Sequence, residues 1–416
     1  MRSLARIALT LLATALPVAA AEQTDFPLTL DRAVERFLQR NLAVEAARHR
    51  VDVARAEQLA ARMRPNPTVT VAAENLRLSG PTSAGELYEV GTTYSHPIEL
   101  GGKRARRSSV ADATVAVAEA QLADTLQRRL LDLKRAFYEV LLARHAVEQA
   151  ARSRQALDEL VTLNETRFRA GAVAEGEAIK ARVERGKAET ALAQARLELQ
   201  QAGIRLLDIL GESDFTAAGR IEGDLTAPPA PATDLQALRA LALQRRPTVI
   251  AAEQTAALAT HRIALEQSRR TPDVSPSVGY RRVGENNTVL FGISVPLPLL
   301  DRNEAGIARA RAEARAAEAE LALQRQRVLA EVEAAYRAWE SARERLAAFD
   351  QGLLRQAEES EAIARAAYRE GAIDLLPYLE AQRTRAEVRQ QYLKALFDAR
   401  TSLSELEYAA GSEVPR

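Results

Sequence analysis

The chain has 416 residues, of which 47% are hydrophobic but only 4% aromatic, and its formal net charge is +1. An apolar content made mostly of alanine, leucine and valine favours long helices over an aromatic-rich core, and the near-neutral charge argues against a nucleic-acid-binding protein. The sequence contains no cysteine, which excludes disulfides, thiolate metal ligands and a lipid anchor on a cysteine.

The first 21 residues have the pattern of a secretory signal peptide. Arg2 and Arg6 precede an apolar stretch at 7–16, and three alanines at 19–21 offer a cleavage site. The apolar stretch is shorter than the roughly 20 residues that a membrane-spanning helix needs. We therefore predict that residues 1–21 are removed on export, with an uncleaved N-terminal anchor as the alternative.

The rest of the chain repeats itself. Phe168-Arg-Ala-Gly171-Ala-Val173 recurs 200 residues later as Tyr368-Arg-Glu-Gly371-Ala-Ile373, and three further matches keep the same order along the chain. A duplication explains four ordered matches better than chance does. The predicted division is a signal peptide at 1–21, a first repeat at 22–215, a Pro/Ala linker at 216–233, a second repeat at 234–411 and a tail at 412–416.

Each repeat is predicted to start with one helix, at 31–62 and at 234–270, with an interruption near Pro247 in the second copy only. Two short strands follow, then a very long helix, a glycine-marked turn and a return helix.

The long helix of the first repeat is the strongest local signal. From Lys103 to Ala170 there is neither glycine nor proline, which predicts one helix of roughly 100 Å at 1.5 Å per residue. Its apolar residues follow the 4-3-4 spacing of a coiled-coil seam: Leu126, Leu130, Leu133, Phe137 and Val140. The counterpart from Ile307 to Glu370 has one candidate break, Gly352. Return helices are predicted at 175–210 and 374–410, the second with Asp374 as its N-cap.

Four short segments alternate between apolar residues and small or polar ones, which is typical of a membrane-barrel wall. We expect each of them to approach the 9–11 residues of a membrane-crossing strand. Four strands are too few to close a barrel, since about eight is the usual minimum. A membrane-inserted sheet would therefore require several copies of the chain.

Three phrases connect these strands to the helices. Arg64-Pro-Asn-Pro67 enters the first strand, His96-Pro-Ile-Glu-Leu-Gly-Gly-Lys-Arg104 leaves the second, and Val295-Pro-Leu-Pro-Leu-Leu-Asp-Arg-Asn303 leaves the fourth. With the two Phe/Tyr-Arg-x-Gly turns, they make the chain resemble the TolC family of outer-membrane efflux proteins, and within it the heavy-metal, cobalt–zinc–cadmium (CzcC-like) branch.

The resemblance implies a mainly α fold with a small β part. Three chains would share a twelve-stranded β-barrel in the outer membrane of a Gram-negative bacterium, and duplicated helical hairpins would continue it as a long periplasmic α-barrel. The homotrimer would be the passive conduit of a tripartite efflux pump, whose periplasmic adaptor and inner-membrane transporter of the resistance–nodulation–division class supply substrate and energy.

Heavy-metal cations are the predicted cargo, with organic drugs or solvents as the alternative. A periplasmic coiled-coil adaptor or structural protein is a further alternative, although an adaptor would carry one hairpin on a larger β-rich body. No catalytic, cofactor-binding or metal-ligating constellation is recognisable in the sequence, so an enzyme is not predicted.

Three groups of residues are the candidates for function. Residues at the hairpin tips are predicted to contact the partner proteins: Arg169, Gly171, Arg369 and Gly371. Acidic residues near the tips are candidates for a gate, by resemblance for Glu380 and by proximity for the others: Glu380, Asp374, Glu175 and Glu177. Prolines that end strands and glycines that permit a sharp turn are predicted to join the barrel to the helices: Pro97, Gly101, Gly102, Pro296 and Pro298.

Overall fold

The computed structural model describes residues 28–75, 88–214, 221–229 and 234–412. The predicted signal peptide lies outside the described residues, as do part of the linker and almost all of the tail. The elements of the first half are α1 (Leu30–Arg40), α2 (Leu42–Arg62), β1 (Thr68–Glu74), β2 (Glu89–Ser95), α3 (Lys103–Arg169) and α4 (Glu175–Ile209). Those of the second half are α5 (Leu235–Arg245), α6 (Pro247–Ser268), β3 (Ser275–Val283), β4 (Asn286–Ser294), α7 (Glu304–Ala348), a π-helical turn (Phe349–Leu353), α8 (Leu354–Glu370) and α9 (Leu375–Ala410).

The prediction of one unbroken helix at 31–62 is wrong, because Asn41 interrupts it. The backbone of Asn41 is extended, and its side chain accepts a hydrogen bond from the backbone N–H of Val44 at 3.0 Å, which caps α2. Its amide nitrogen also donates to the carbonyl of Ile209 at 2.6 Å. The predicted interruption near Pro247 is confirmed, and there Arg246 takes nearly the same backbone angles as Asn41.

The predicted long helix is confirmed as a single helix of 67 residues, α3. Its seam packs against α1, α4 and α9, with Leu133, Phe137 and Val140 buried and Leu126 and Leu130 partly buried beside them. Burying such residues supplies the apolar contact that stabilises a coiled-coil interface. The seam therefore ties the long helix to elements from both halves of the chain.

The candidate break in the second long helix is also confirmed. Gly352 lies inside the π-helical turn with φ at 102°, a conformation that a residue with a Cβ rarely adopts. The helix therefore changes register between α7 and α8, whereas α3 runs through the corresponding point at Arg152 without interruption.

The four strands form one antiparallel sheet in the order β1-β2-β3-β4. The pairings Val71↔Thr92, Thr92↔Tyr280 and Tyr280↔Val289 place these residues on one face of the sheet. Further apolar residues share that face and are exposed: Val69, Tyr94, Val278, Phe291 and Ile293. The opposite face carries mainly small and polar residues, although Leu290 and Val283 also lie on it. Both predicted faces are confirmed, and in β4 the residues of both faces are exposed.

The expected strand length is met only in the second half. β3 and β4 have nine residues each, but β1 and β2 have seven. Asn75 follows β1 with φ at 60°, which turns the backbone out of the strand. Among the described residues, no helix is long and apolar enough to cross a membrane.

Candidate functional site at the two ends of the helices

The helices that lead into the two hairpin tips end with the same backbone hydrogen bonds. At the first, the N–H of Gly171 donates to the carbonyl of Phe168 and the N–H of Ala172 to that of Arg167, which is a Schellman ending. The same two bonds recur 200 residues later, from Gly371 and Ala372. Both glycines have positive φ, 73° and 79°. The structure therefore places both predicted turns at helix ends, with Gly171 and Gly371 exposed.

A cross-link between the tips, which we call the tip latch, was missed by sequence reasoning. The guanidinium of Arg167 donates to the carbonyls of Tyr368 and Arg369 at 3.1 and 2.8 Å. The hydroxyl of Tyr368 donates to the side-chain oxygen of Asn164 at 2.6 Å, and both residues are buried. The ring of Tyr368 stacks on Tyr378 with centroids 5.5 Å apart. The end of α3 is thereby fixed to α8 and α9.

Burial governs the ionisation of the latch tyrosines. Desolvation raises the pKa of Tyr368 and also that of Tyr378. Both phenols therefore stay neutral at physiological pH, and the Tyr368 hydroxyl keeps the proton that it donates to Asn164. The predicted tip arginines bind nearby groups of the same chain, since Arg169 donates to the Glu165 carbonyl and Arg369 pairs with Glu159 at 3.3 Å.

A second link joins the return helices α4 and α9 below the tips. The carboxylate of Glu184 accepts hydrogen bonds from Arg383 at 2.7 Å and from Lys187 at 2.9 Å. Burial alone would raise the pKa of Glu184, but these two cationic donors outweigh it and hold the pKa below its usual value of 4.5. The link is therefore charged at neutral pH.

The four acidic gate candidates lie near the tips but do not form one cluster. Glu175 begins α4, and Glu177 follows within its first turn. Asp374 is the N-cap residue of α9 as predicted, although its side chain makes no capping hydrogen bond. Glu380 lies further along α9 and is exposed. Within the described ranges, no group of three or more His, Asp or Glu side chains could hold a metal ion.

At the opposite end of the helices, the strands join them. Gly101 needs to be a glycine, because a Cβ there would lie 2.8 Å from the side chain of Thr271. Gly102 is the N-cap of α3 with φ at 70°. The ladder of β2 stops before Pro97 and resumes for one bridge, between Ile98 and Val274. Pro296 and Pro298 follow the end of β4, so both β2 and β4 end before a proline.

Comparisons with known proteins agree with this geometry. The family model described as "Outer membrane efflux protein" matches residues 33–212 and 238–412. The cobalt-zinc-cadmium resistance protein CzcC of Cupriavidus metallidurans is 29% identical over 373 residues, 89% of this chain and 87% of CzcC. The nickel and cobalt resistance protein CnrC of the same organism is 31% identical over 322 residues, 71% of this chain and 69% of CnrC.

A solved structure has the same fold. The CmeC outer membrane channel of Campylobacter jejuni superposes with a TM-score of 0.79 at 16% identity, covering 93% of this chain and 86% of CmeC. The sequence match spans both halves of the chain, and the fold agrees along almost all of it. The chain therefore belongs to the outer membrane efflux protein family, the TolC family, and is an efflux channel of the Gram-negative outer membrane with a periplasmic helical extension.

Proposed function

We propose that three copies of this chain form one channel, in which each copy contributes four strands to a closed twelve-stranded sheet in the outer membrane. The observation that carries this proposal is the sheet, because its apolar face is exposed and β1 and β4 each pair on one side only among the described strands. Unpaired backbone groups are costly in lipid. Strands from neighbouring copies would satisfy them.

In this proposal the helices of the two repeats, 22–215 and 234–411, continue the wall through the periplasm. The tips then meet a periplasmic adaptor and an inner-membrane transporter of the resistance–nodulation–division class, which supplies the energy. The exposed tip residues Arg169, Gly171, Arg369 and Gly371 are the proposed contacts. The length of α3, about 100 Å at 1.5 Å per residue, supports a span of that kind.

The acidic residues near the tips are the proposed gate. Three copies of Glu380, Asp374, Glu175 and Glu177 would surround the mouth of the tunnel with carboxylates. Rings of carboxylates attract cations and repel anions. Exposure of Glu380 and Asp374 supports this role, since a buried carboxylate could not meet a passing ion.

The proposed cargo is a heavy-metal cation, which passes through the channel without a tight binding site. The support comes from the relatives: CzcC is a resistance protein for cobalt, zinc and cadmium, and CnrC is one for nickel and cobalt. Export of organic drugs or solvents is the second candidate, because the fold of an outer membrane channel does not by itself distinguish the two cargoes.

Growth of a deletion strain separates these two cargoes. The strain is compared with its parent on cobalt, zinc, cadmium, nickel, copper and silver, and on hydrophobic antibiotics and bile salts. Hypersensitivity to a few metals that the intact gene reverses would establish metal export. Normal growth on every metal, with sensitivity to organic compounds, would reject the metal cargo and leave the channel.

The assembly is tested independently of the cargo. Native mass spectrometry of the detergent-purified protein should detect three copies of the processed chain. A stable monomer that leaves the outer-membrane fraction after a carbonate wash would contradict the channel proposal.

A further inference from the structure

Four connections join a strand to a helix, and all of them lie at the same end of the sheet. They comprise residues 63–67, 96–102, 269–274 and 295–303. Contacts between these connections and the adjoining helix ends hold this level together: the Leu100 N–H donates to Asp273, and the Asn303 side chain donates to Glu266 in the last turn of α6. We call this level the junction. It divides the sheet from the long helices.

Each connection, or the first helical turn after it, carries an exposed arginine that has no carboxylate partner in the described part of the chain: Arg64, Arg104, Arg106, Arg270 and Arg302. Arg302 donates only to a backbone carbonyl, that of Pro298. Exposed guanidinium groups at one level of the molecule form a positive belt, which attracts anions.

The carboxylates of the junction are largely occupied by other groups. Glu99 pairs with Arg107, and Asp273 pairs with Lys103 at 2.7 Å. Glu266 pairs with Arg269, and Asp301 accepts the N–H of Asn303. Asp301 and Glu304 therefore have no cationic partner among the described residues and keep their negative charge. The five arginines of the belt outnumber these two carboxylates, so this level keeps an excess of positive charge.

The apolar stripe of the sheet extends into the same level. Along β4, Val289, Phe291 and Ile293 occupy alternate positions on the apolar face. The apolar spacing continues in the sequence after the strand ends at Ser294, through Val295, Leu297 and Leu299, and Leu300 follows. The backbone turns at Pro298, where the Leu299 N–H donates to the Leu297 carbonyl at 2.8 Å.

These residues beyond the strand are unusually exposed for their type. Leu297 and Leu299 are exposed to 72% and 75%, and Leu300 fully. A strand of 9–11 residues crosses the hydrocarbon layer, and β4 has nine. The leucines after it therefore fall at the border between hydrocarbon and headgroups, at the level of the arginine belt.

We propose that the junction is a binding site for anionic phospholipids of the periplasmic leaflet, with Leu297, Leu299 and Leu300 contacting acyl chains and the arginine belt contacting headgroup phosphates. The arguments are the continuity of the leucines with the membrane-facing sheet and the charge complementarity of the belt. The proposal rests on the outer-membrane channel described above and adds a lipid preference to it.

The charge part is tested by lipid retention of the full processed protein. Native mass spectrometry compares retained phosphatidylglycerol with phosphatidylethanolamine for the wild type and for a variant with Arg64, Arg104, Arg270 and Arg302 each replaced by glutamine. Each belt arginine removed should lower the preference for phosphatidylglycerol, by about fivefold per charge near the surface.

The matched control replaces four exposed helical arginines that also lack a carboxylate partner among the described residues: Arg152, Arg185, Arg196 and Arg327. It should retain the wild-type preference. Equal preference in both variants would overturn the proposal. Displacement of phosphatidylglycerol by inorganic phosphate at matched ionic strength would do so too, because it would indicate a simple anion site.

The apolar part is tested by fluorescence of a Leu300→Trp variant in vesicles. Brominated phospholipids should quench the new tryptophan. The native Trp339, which is buried among helices, serves as the unquenched reference. Emission typical of water, quenched by acrylamide but not by bromine, would overturn the proposal. If the wild type fails to float with the vesicles at all, the channel itself is rejected; if it floats without these lipid effects, only this inference fails.

Discussion

The two halves of the chain have the same element order, yet they differ where their helices are fixed. At the tips, Tyr368 is buried in the latch, while its counterpart Phe168 is 42% exposed. The partners Arg167 and Asn164 come from the first half, and in the other direction the described tip residues form only the exposed pair of Arg369 with Glu159. The two tips are similar in sequence, but only the tyrosine of the second tip is buried in the latch, so the contact between them is asymmetric.

The two helix interruptions at Asn41 and Arg246, which we call the hinges, also differ in their contacts. Asn41 connects α1 to α2 with a short amide side chain. Arg246 connects α5 to α6 with a buried guanidinium that donates to the Ala409 carbonyl at 3.1 Å and to Glu331 at 2.6 Å, and lies 4.0 Å from the centre of the Tyr408 ring. The second hinge therefore depends on more contacts than the first, and the two halves should respond differently to equivalent substitutions.

The largest effect is expected from alanine at Gly411, the end of α9. Its φ is 74°, and a Cβ would lie 2.8 Å from the backbone nitrogen of Arg246. Positive φ and a backbone clash together should lower the free energy of unfolding by about 3 kcal/mol or more. Gly371→Ala is the matched control, since φ is 79° but the space is open, and about 1 kcal/mol is expected. Equal losses in chemical denaturation would contradict the role of the clash.

The variants Arg246→Met and Asn41→Ala measure how much each hinge contributes to the free energy of unfolding. Removing the Arg246 guanidinium leaves the Ala409 carbonyl without its donor and should cost about 2–3 kcal/mol. Removing the Asn41 amide loses one cap and one hydrogen bond and should cost about 1–2 kcal/mol. Denaturation of both variants in one detergent measures the difference. A larger loss for Asn41→Ala would show that the first hinge is the stronger one.

The difference between the two tips is tested by Tyr368→Phe, which removes the hydroxyl that binds Asn164. The side-chain oxygen of Asn164 then loses its donor in a buried position, and a loss of about 1–2 kcal/mol is expected. The counterpart change, Phe168→Tyr, adds a hydroxyl to an exposed ring and should leave stability unchanged. Hydrogen exchange at the end of α3 checks the location: it should quicken in Tyr368→Phe alone, and uniform exchange in both variants would argue against the latch.

The smallest effect is expected at Glu184. Its cationic partner is Arg383 of the second half, and the residue at the position equivalent to Arg383 in the first half is Val183. Because the pKa of Glu184 is lowered in the folded state, the link stabilises the fold fully above pH 4.5 and is lost as the pH falls through the lowered pKa. Glu184→Gln should therefore cost less than about 1 kcal/mol at neutral pH and nothing in strong acid. A cost independent of pH would exclude the charge as its cause.

The regular parts of this fold were predictable, because periodicity is a local property of the sequence. The 67-residue α3, the break at Gly352 and the two faces of the sheet follow from the spacing of apolar residues, glycine and proline. The break at Asn41 was missed because asparagine is a weaker signal than proline. The repeat could have indicated it, since Leu38-Gln-Arg-Asn41 matches Leu243-Gln-Arg-Arg246, which directly precedes Pro247.

The tip latch could not be predicted from local patterns. Arg167 and Tyr368 are separated by 201 residues. The residue equivalent to Arg167 in the second repeat is Ala367, so no pattern within one half predicts the contact. Charged residues on exposed helix faces look alike in sequence whether or not a distant partner fixes them. For the same reason, the sequence pattern does not distinguish a gate residue from an ordinary exposed carboxylate, and the gate candidates, above all Glu380, stay proposals.

From the pairing of β2 with β3 we predict the order of folding. Glu89 lies opposite Val283, and the whole α3–α4 hairpin stands between the two strands in the chain. Closing so long a segment costs more conformational entropy than forming either β-hairpin, and contacts distant in sequence form slowly. The first hairpin can therefore fold while the rest of the chain is still being exported, but the sheet waits for the second half. Until β3 arrives, the edge of β2 and the apolar face beside it are open to mispairing and need protection in the periplasm.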